Sequence, residues 1–383
     1  MALPVLSLFM VSLGYGVIVP LLPELSGGAA SVTPGVMSLV YATYAAAKIG
    51  IQVPAGVWAD RVGGTKVLRV AMPLFALSLA GFLWNGGSAW FALVRSVEGA
   101  ATGLVYPAVF ALVAQRGVEG QGKRIGLTVG LGSSGLLLGP ALGWVLAPVD
   151  VRAPIWAALA VAVALSVWLF VAPPPSKGAV SPRTLKGELE LIGRLAGSVV
   201  FIGLMLPIAF NKLTFTAFQG LIPLHLPNVL HLGTREVVAL FAMTGVLFGV
   251  FQGVGGALAD RFAPRAVAIV FSVPLLVALA LLWRAGTGVE FAAAYGSYVC
   301  CSSVIFTATL KHAARAFGTE DTYGGVFGVL ATLTDLMTVV GPLLFLGVYG
   351  ALGSSVFLLM TAIGVPAAIA YAFLSRSQTP RFG

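Results

Sequence analysis

The chain contains the hexapeptide GVWADR at Gly56–Arg61 and, 200 residues later, the hexapeptide GALADR at Gly256–Arg261. Each copy is a short polar turn between two long apolar runs. A solvated turn would explain one copy, but it explains two copies at matching points of a 383-residue chain poorly. The sequence therefore predicts a protein built from two similar halves.

The composition of the chain is that of a membrane protein. Apolar residues make up 58% and charged residues only 9%, against about 25% charged in ordinary soluble domains. So few charges cannot cover a surface that faces water, so we expect lipid to be the solvent. The two cysteines, Cys300 and Cys301, are adjacent and form no disulfide framework. We expect Ala2–Glu24 to be a retained membrane helix, because no charged segment precedes it.

Twelve apolar runs are long enough to cross a bilayer, which takes roughly 20 residues. Between the sixth and the seventh run lies the one long polar segment, which starts with three prolines. We therefore predict a six-helix bundle over 1–172, a cytoplasmic linker over 173–195 and a second six-helix bundle over 196–383. The predicted spans are about 2–24, 35–59, 67–86, 88–116, 124–147, 152–172, 197–225, 234–259, 266–284, 288–316, 322–350 and 353–374.

The distribution of Lys and Arg over the loops predicts the orientation. One set of loops holds 16 of the 22 basic residues and the opposite set holds 3, while Lys48, Arg95 and Lys212 fall inside spans. Basic residues favour cytoplasmic loops, so we expect the linker and both chain ends in the cytoplasm of a bacterial inner membrane. The same bias explains the net charge of +9 without a nucleic-acid partner.

Four motifs resemble those of the major facilitator superfamily. Gly56–Leu68 is similar to its loop motif, Leu13–Pro23 to the first-helix motif of its twelve-helix drug:proton antiporters, and Arg95–Gly103 to its fourth-helix motif. Gly126–Gly143 resembles the fifth-helix motif of exporters, except that Trp144 stands in place of the last glycine. The resemblance implies two pseudo-symmetric bundles of six helices that move by alternating access.

The two hexapeptides are expected to act as a conformational latch. A carboxylate at the end of one helix is stabilised by the positive end of a facing helix and by a nearby Arg. We expect Asp60 to face the start of span eleven, at 322–325, and Asp260 to face the start of span five. The predicted latch residues are Gly56, Asp60, Arg61, Gly256, Asp260 and Arg261.

Glycines at four-residue spacing mark one face of span five and one face of span eight. Small residues let two helices approach closely in lipid, so we expect these faces to pack against each other between the halves. The packing motif on span five consists of Gly126, Gly135, Gly139, Pro140 and Gly143, and that on span eight of Gly245, Gly249 and Gly253.

Five charged residues fall inside predicted spans, where each costs at least about 2.5 kcal/mol at mid-bilayer. Arg95 and Glu98 are three residues apart on span four. They form either a structural ion pair that neutralises itself or a proton site at Glu98 with Arg95 as its partner. Lys48 and Asp335 lie at similar depths in spans two and eleven, so we predict a pair across the halves, which is either structural or proton-coupling. Lys212 is then left without an obvious partner.

These features favour a proton-coupled transporter that exports a small amphipathic, drug-like molecule. An organic or lipid-like anion, taken up or exported, is the alternative that a surplus Lys212 favours. A membrane enzyme or receptor is a third interpretation, which no nucleophile–base cluster or metal-ligand spacing supports. We expect a monomer without metal or cofactor, with the proton as coupling ion. Expected substrate contacts are Tyr15, Arg95, Glu98, Tyr106, Asn211, Lys212, Phe215, Gln219, Tyr298 and Ser302.

Overall fold

The computed structural model describes residues 2–26, 33–114, 134–171, 197–317 and 323–375, with the isolated positions 128, 131, 132 and 193. These residues form twelve α-helices and no strand. The helices are α1 (Ala2–Leu25), α2 (Pro34–Val62), α3 (Gly64–Gly81), α4 (Gly87–Ala114), α5 (Gly135–Leu146), α6 (Ala153–Val171), α7 (Val199–Val229), α8 (Thr234–Arg261), α9 (Pro264–Arg284), α10 (Gly288–Phe317), α11 (Tyr323–Leu352) and α12 (Val356–Leu374). The predicted linker lies outside the described residues, apart from a few positions at its end.

The helix bounds follow the apolar runs of the sequence. Apart from the start of α5, every described helix begins and ends within five residues of its predicted span. Seven stretches of the described helices are long and apolar enough to cross a membrane by length and composition. The all-helical membrane fold is thus established, and the count of twelve spans stays a prediction.

The turn between α2 and α3, which follows the first hexapeptide, depends on glycine. Gly63 has φ 91°, a conformation that favours glycine, and it separates α2 from α3. A Cβ on the next residue, Gly64, would collide with the carbonyl oxygen of Ala108 on α4. The Gly-Gly pair therefore provides both the sharp turn and the close approach of α3 to α4.

The described chain folds into two compact units. Unit 1 comprises Met1–Leu185 and Ile222–Gly245, and unit 2 comprises Lys186–Leu221 and Val246–Gly383. In unit 1, α4 packs against α2 and α3, while α1 packs against α5. In unit 2, α9 packs against α10 and α12.

The two units repeat the same close helix contacts. In unit 1, a Cβ on Gly139 of α5 would lie 2.6 Å from the carbonyl oxygen of Leu13 on α1. In unit 2, a Cβ on Gly341 of α11 would collide with the carbonyl oxygen of Leu213 on α7. Leu213 lies 200 residues after Leu13, and Gly341 lies 202 residues after Gly139, so the repeat in the sequence is also a repeat of backbone packing.

The glycine face of α5 packs differently from the sequence-based prediction. The nearest neighbours of Gly135 and Gly139 lie on α1, whereas we expected them on span eight. Gly143 faces α8: a Cβ on Gly143 would lie 3.4 Å from the side chain of Val238. Small residues allow close approach to any neighbouring helix, so the spacing identifies a packing face but not its partner. Gly126 lies outside the described residues.

An arginine caps the C-terminal end of α6 in unit 1 and of α12 in unit 2. In unit 1, Arg69 Nε donates a hydrogen bond to the carbonyl of Leu169 on α6 at 2.9 Å. In unit 2, Arg265 Nε donates to Ser375 Oγ after α12 at 2.9 Å, and its Nη2 donates to the carbonyl of Ala372. Cations at helix C-termini satisfy the last carbonyls and interact favourably with the helix dipole.

Candidate functional site

The first candidate site is a fully buried ion pair on α4 in unit 1. Arg95 and Glu98 are one turn apart, and Arg95 Nη1 donates to Glu98 Oε2 at 2.7 Å. Both side chains have 0% exposure. Thr102, one turn further on, uses its hydroxyl to bond the backbone carbonyl of Glu98.

Three tyrosine rings surround the guanidinium of Arg95. Its Cζ lies 4.3 Å from the ring centre of Tyr44, 5.1 Å from that of Tyr15 and 5.9 Å from that of Tyr41. The hydroxyl of Tyr41 donates to the carbonyl of Val19 at 2.9 Å, which fixes that ring against α1. Desolvated cation–π contacts stabilise an arginine by up to about 2 kcal/mol each. The rings therefore hold the cation in place independently of the carboxylate.

The ion pair leaves polar atoms without hydrogen bonds. Among the described residues, Glu98 Oε1 has no hydrogen-bond partner, and neither do Nε and Nη2 of Arg95. Buried polar groups are nearly always bonded, so such exceptions are typical of functional sites or of bound water. A buried carboxylate with one oxygen that accepts no hydrogen bond has the chemistry to accept a proton and become neutral.

A second ion pair lies in unit 2 and overturns one sequence-based inference. The ammonium of Lys212 on α7 binds the carboxylate of Asp335 on α11. The inference that Lys212 lacks a partner is therefore wrong. α7 and α11 approach closely at Leu213 and Gly341, so a long side chain on α7 can reach the N-terminal half of α11. The predicted Lys48–Asp335 pair would join the two units and stays a prediction.

A hydrogen-bonded network links α7 to α10 beside this pair. The side-chain amide of Asn211 donates to the hydroxyl of Ser302 and, at 3.2 Å, to its carbonyl. The hydroxyls of Thr214 and Tyr298 bond each other at 2.6 Å. These side chains are at most 8% exposed, so their polar groups fix α10 against α7.

Only part of the predicted substrate-contact set has exposed side-chain surface. Tyr15, Tyr106, Lys212 and Phe215 are half-buried. The ammonium of Lys48 lies over the ring of Tyr106, with Nζ 5.0 Å from the ring centre. Phe215 packs against Phe248 with ring centres 5.8 Å apart. The buried members of the set are Arg95, Glu98, Asn211, Gln219, Tyr298 and Ser302. Direct contact of the buried members with a substrate stays a prediction.

The second copy of the predicted latch forms an ion pair inside unit 2. Lys311 of α10 binds the carboxylate of Asp260 at the end of α8, and both groups are partly exposed. Arg261 lies over the ring of Phe262, with its Cζ 5.8 Å from the ring centre. The side chain of Asp60, and those at the start of α11, lie outside the described residues. The predicted contacts of both aspartates with facing helices therefore stay predictions.

Sequence reasoning missed three participants in these sites. Tyr41 and Tyr44 supply two of the three rings around the Arg95 guanidinium, and their three-residue spacing on α2 places both on one face. Thr214 lies one turn after Asn211, a spacing that indicates a shared face of α7. Aromatic residues are common in membrane helices, so this spacing alone could not distinguish a cation cage from lipid contacts.

Comparison with known proteins identifies the family and the fold. The family model described as "Major Facilitator Superfamily" matches residues 5–319. The Quinolone resistance protein NorA of Staphylococcus aureus (strain MSSA476) is 24% identical over 348 residues, 88% of this chain and 87% of the relative. Multidrug resistance protein 1 of Bacillus subtilis (strain 168) is 24% identical over 265 residues, 67% of this chain and 65% of that relative. The crystal structure of the nucleoside transporter NupG matches with a TM-score of 0.80 at 12% identity, covering 97% of this chain and 98% of that one.

Proposed function

Because the chain belongs to the Major Facilitator Superfamily, we propose that it exports small amphipathic, drug-like molecules in exchange for protons by alternating access. Two relatives are named for resistance to quinolones and to multiple drugs, and these names support this substrate class. The proposal places the protein in the bacterial cell membrane as a monomer, with both chain ends and the Asp260 latch on the cytoplasmic side. The excess of basic residues in one set of loops supports this orientation.

The observation that supports proton coupling is the fully buried Arg95–Glu98 pair, in which Glu98 Oε1 accepts no hydrogen bond. A proton on Glu98 cancels the negative charge and weakens the bond to Arg95. The rings of Tyr15, Tyr41 and Tyr44 continue to hold the guanidinium. The net charge on α4 therefore changes while Arg95 keeps its position. Protonation thus alters the electrostatics of the α1–α2–α4 core, which is the kind of local event that biases a two-state transporter.

The coupling is tested by ethidium export from cells with and without a protonophore. We expect Glu98→Gln, which imitates a permanently protonated acid, to lose most of the proton-driven export. The matched control is Glu236→Gln, because Glu236 is an exposed acid in the first turn of α8. Undiminished proton-driven export by Glu98→Gln would remove Glu98 from the coupling role.

The alternative of an organic-anion carrier rested on a surplus cation at Lys212. Lys212 binds Asp335, so the excess no longer falls on Lys212. Three basic residues against two acids inside the predicted spans still leave one positive charge in excess, and an organic anion remains the second candidate substrate. Substrate contacts accessible within each unit are aromatic as well as charged: Tyr15 and Tyr106 in unit 1, and Phe215 in unit 2. Aromatic surfaces suit planar amphipathic molecules and need no negative charge on the substrate.

A further inference from the structure

The end of α7 and the start of α8 belong to a different unit from the rest of these two helices. Residues Ile222–Gly245 (the hairpin tip) are part of unit 1, whereas the remainder of α7 and α8 is part of unit 2. Apolar side chains of the tip are deeply buried, since Leu224, Leu226, Val237 and Val238 are at most 2% exposed. The hairpin tip is therefore an integral part of unit 1.

The turn of the hairpin tip is short and well bonded. Residues 230–233 separate α7 from α8. The amides of Leu230 and Leu232 both donate to the carbonyl of Leu226 at 3.1 Å, which closes the end of α7. His231, between them, has φ 55°. Because the turn is fixed in this way, we expect the tip to move as one body.

Two neighbouring residues of α5 hold the start of α8. A Cβ on Gly143 would lie 3.4 Å from the side chain of Val238, so the glycine lets the two helices approach closely. Trp144, the next residue, places its ring centre 5.3 Å from the guanidinium Cζ of Arg235. This distance is within the roughly 6 Å over which a tryptophan ring attracts a cation. α5 and α8 are thus joined by a packed contact and by a cation–π contact.

A third contact joins the hairpin tip to the end of α1. The hydroxyl of Thr234, the first residue of α8, donates to Glu24 Oε2 at 3.4 Å. The carboxylate of Glu24 therefore lies at the N-terminus of α8, where the helix dipole favours a negative charge. α1 and α5 together hold the first turns of α8.

These polar contacts are accessible, in contrast to the buried pair of Arg95 and Glu98. Trp144 is 43% exposed, and Glu24 and Arg235 are exposed residues. Their charges become hydrated when the contacts open, so separation leaves no uncompensated buried charge. An exposed cation–π contact shifts an equilibrium by a factor of about two to five. Such a contact can bias a two-state equilibrium and still break in every cycle.

We propose that Trp144 and Arg235 form a lock that keeps the hairpin tip on α5 and sets the balance between the two states of the transport cycle. This inference rests on the proposed export function, under whose orientation the locked form is the one closed toward the outside. Trp144 stands where the exporter motif has its last glycine, and a glycine has no ring to hold a cation. Trp144 is a positioning residue, because it acts through α8 and needs no contact with the substrate.

The test measures the distance between spin labels on Val145 and Ala239 by pulsed electron paramagnetic resonance. The sample is the purified full chain in lipid nanodiscs. Both labelled residues are exposed and lie next to contacts of the lock, and Cys300→Ala with Cys301→Ala removes the native thiols. We expect a short-distance population, in which the tip lies on α5, and a long-distance population, in which it has moved away.

Breaking the lock from either side should shift the two populations alike. Trp144→Gly and Arg235→Gln should each raise the ratio of the long to the short population about two- to fivefold. The double variant should shift the ratio no further than the stronger single variant, because both changes remove the same contact. Trp144→Phe keeps an aromatic ring, so it should retain most of the locked population.

Two matched controls separate the lock from general effects of the substitutions. Trp156→Gly removes a tryptophan of α6 that is 58% exposed, and Arg152→Gln removes an exposed arginine just before α6. Both residues lie in unit 1, and both changes should leave the distance ratio as it is. Arg235 is exposed, so Arg235→Gln keeps the test decisive if Trp144→Gly does not fold.

Three results would each overturn the proposal. The first is an unchanged distance ratio in Arg235→Gln or in a folded Trp144→Gly. The second is a double variant in which the two single shifts add. The third is an equal shift in the two control variants.

Failure of this inference is separable from failure of the proposed function. Proton-driven ethidium export from cells, together with a distance ratio that neither lock variant changes, would refute the lock and leave export standing. A shifted ratio, together with absence of proton-driven export of any amphipathic compound, would refute the proposed function and leave the lock standing.

Discussion

Removing the two charges of the Arg95–Glu98 pair one at a time should show how much each charge contributes to folding stability. With both side chains at 0% exposure, loss of one partner leaves a buried charge, which costs about 3–5 kcal/mol. Glu98→Gln leaves an arginine that cannot deprotonate, so its destabilisation should not depend on pH between 5 and 8. Arg95→Met leaves a carboxyl group that can take up a proton, so its destabilisation should shrink as the pH falls. The double variant, which removes both charges, should recover most of the lost stability.

The assay is thermal unfolding of the four purified proteins at pH 5, 6.5 and 8. The tyrosine cage limits the loss in Glu98→Gln, because the three rings stay against the guanidinium. Asp260→Asn is the matched control: its pair with Lys311 is partly exposed and should contribute less than about 1 kcal/mol. If both single variants were as stable as the unmodified protein, or if the double variant were the least stable, the ion-pair argument would be refuted.

Three further substitutions test the packing. Gly341→Ala should destabilise by about 1–3 kcal/mol in thermal unfolding, because its methyl collides with a backbone carbonyl. Gly347→Ala, also inside α11, meets nothing within 4 Å and should instead stabilise by about 0.5–1 kcal/mol through helix propensity. Arg265→Lys keeps the charge but loses one of two hydrogen-bond directions, so hydrogen exchange at the end of α12 should accelerate. Trp144→Gly removes the ring that lies 5.3 Å from the Arg235 guanidinium and should cost about 0.5–1 kcal/mol of thermal stability; equal stability would show that this contact contributes nothing.

The helices were predictable because lipid imposes a length on every apolar run. The bounds of α8 and α10 follow directly from polar clusters at both ends of their runs. The end of α3 was less predictable: its apolar run continues to Trp84, but the chain leaves the helix after Gly81 and turns at Gly87, which has φ 79°. Hydrophobicity determines what enters the bilayer, whereas local backbone geometry determines where a helix ends.

The partner of Lys212 could not be predicted from depth alone. Lys48 and Asp335 lie at similar distances from their helix ends, and this similarity suggested a pair. Gly341 is the α11 residue that contacts α7. A long helical side chain leans along the axis of its own helix, and Lys212 binds Asp335, six positions before Gly341. The repeat contains the missing information, because the contact of Gly139 on α5 with α1 is equivalent to the contact of Gly341 on α11 with α7. Those contacts, however, become visible only in three dimensions.

The two halves share their backbone contacts but differ in polar content. Two hundred residues after Arg95 and Glu98 stand Tyr295 and Tyr298, which are also buried, and their rings pack against Phe218 with centres 5.0 and 4.8 Å away. The first half thus places a charged pair where the second half has an aromatic cluster. The second half has its own pair at its accessible edge, where the equivalent of Lys212 in the first half is a serine. Under the proposed function, each pair includes a carboxylate that a proton can neutralise, Glu98 in unit 1 and Asp335 in unit 2. Since each pair occurs in one half alone, substitutions at the two pairs should separate their contributions to proton coupling.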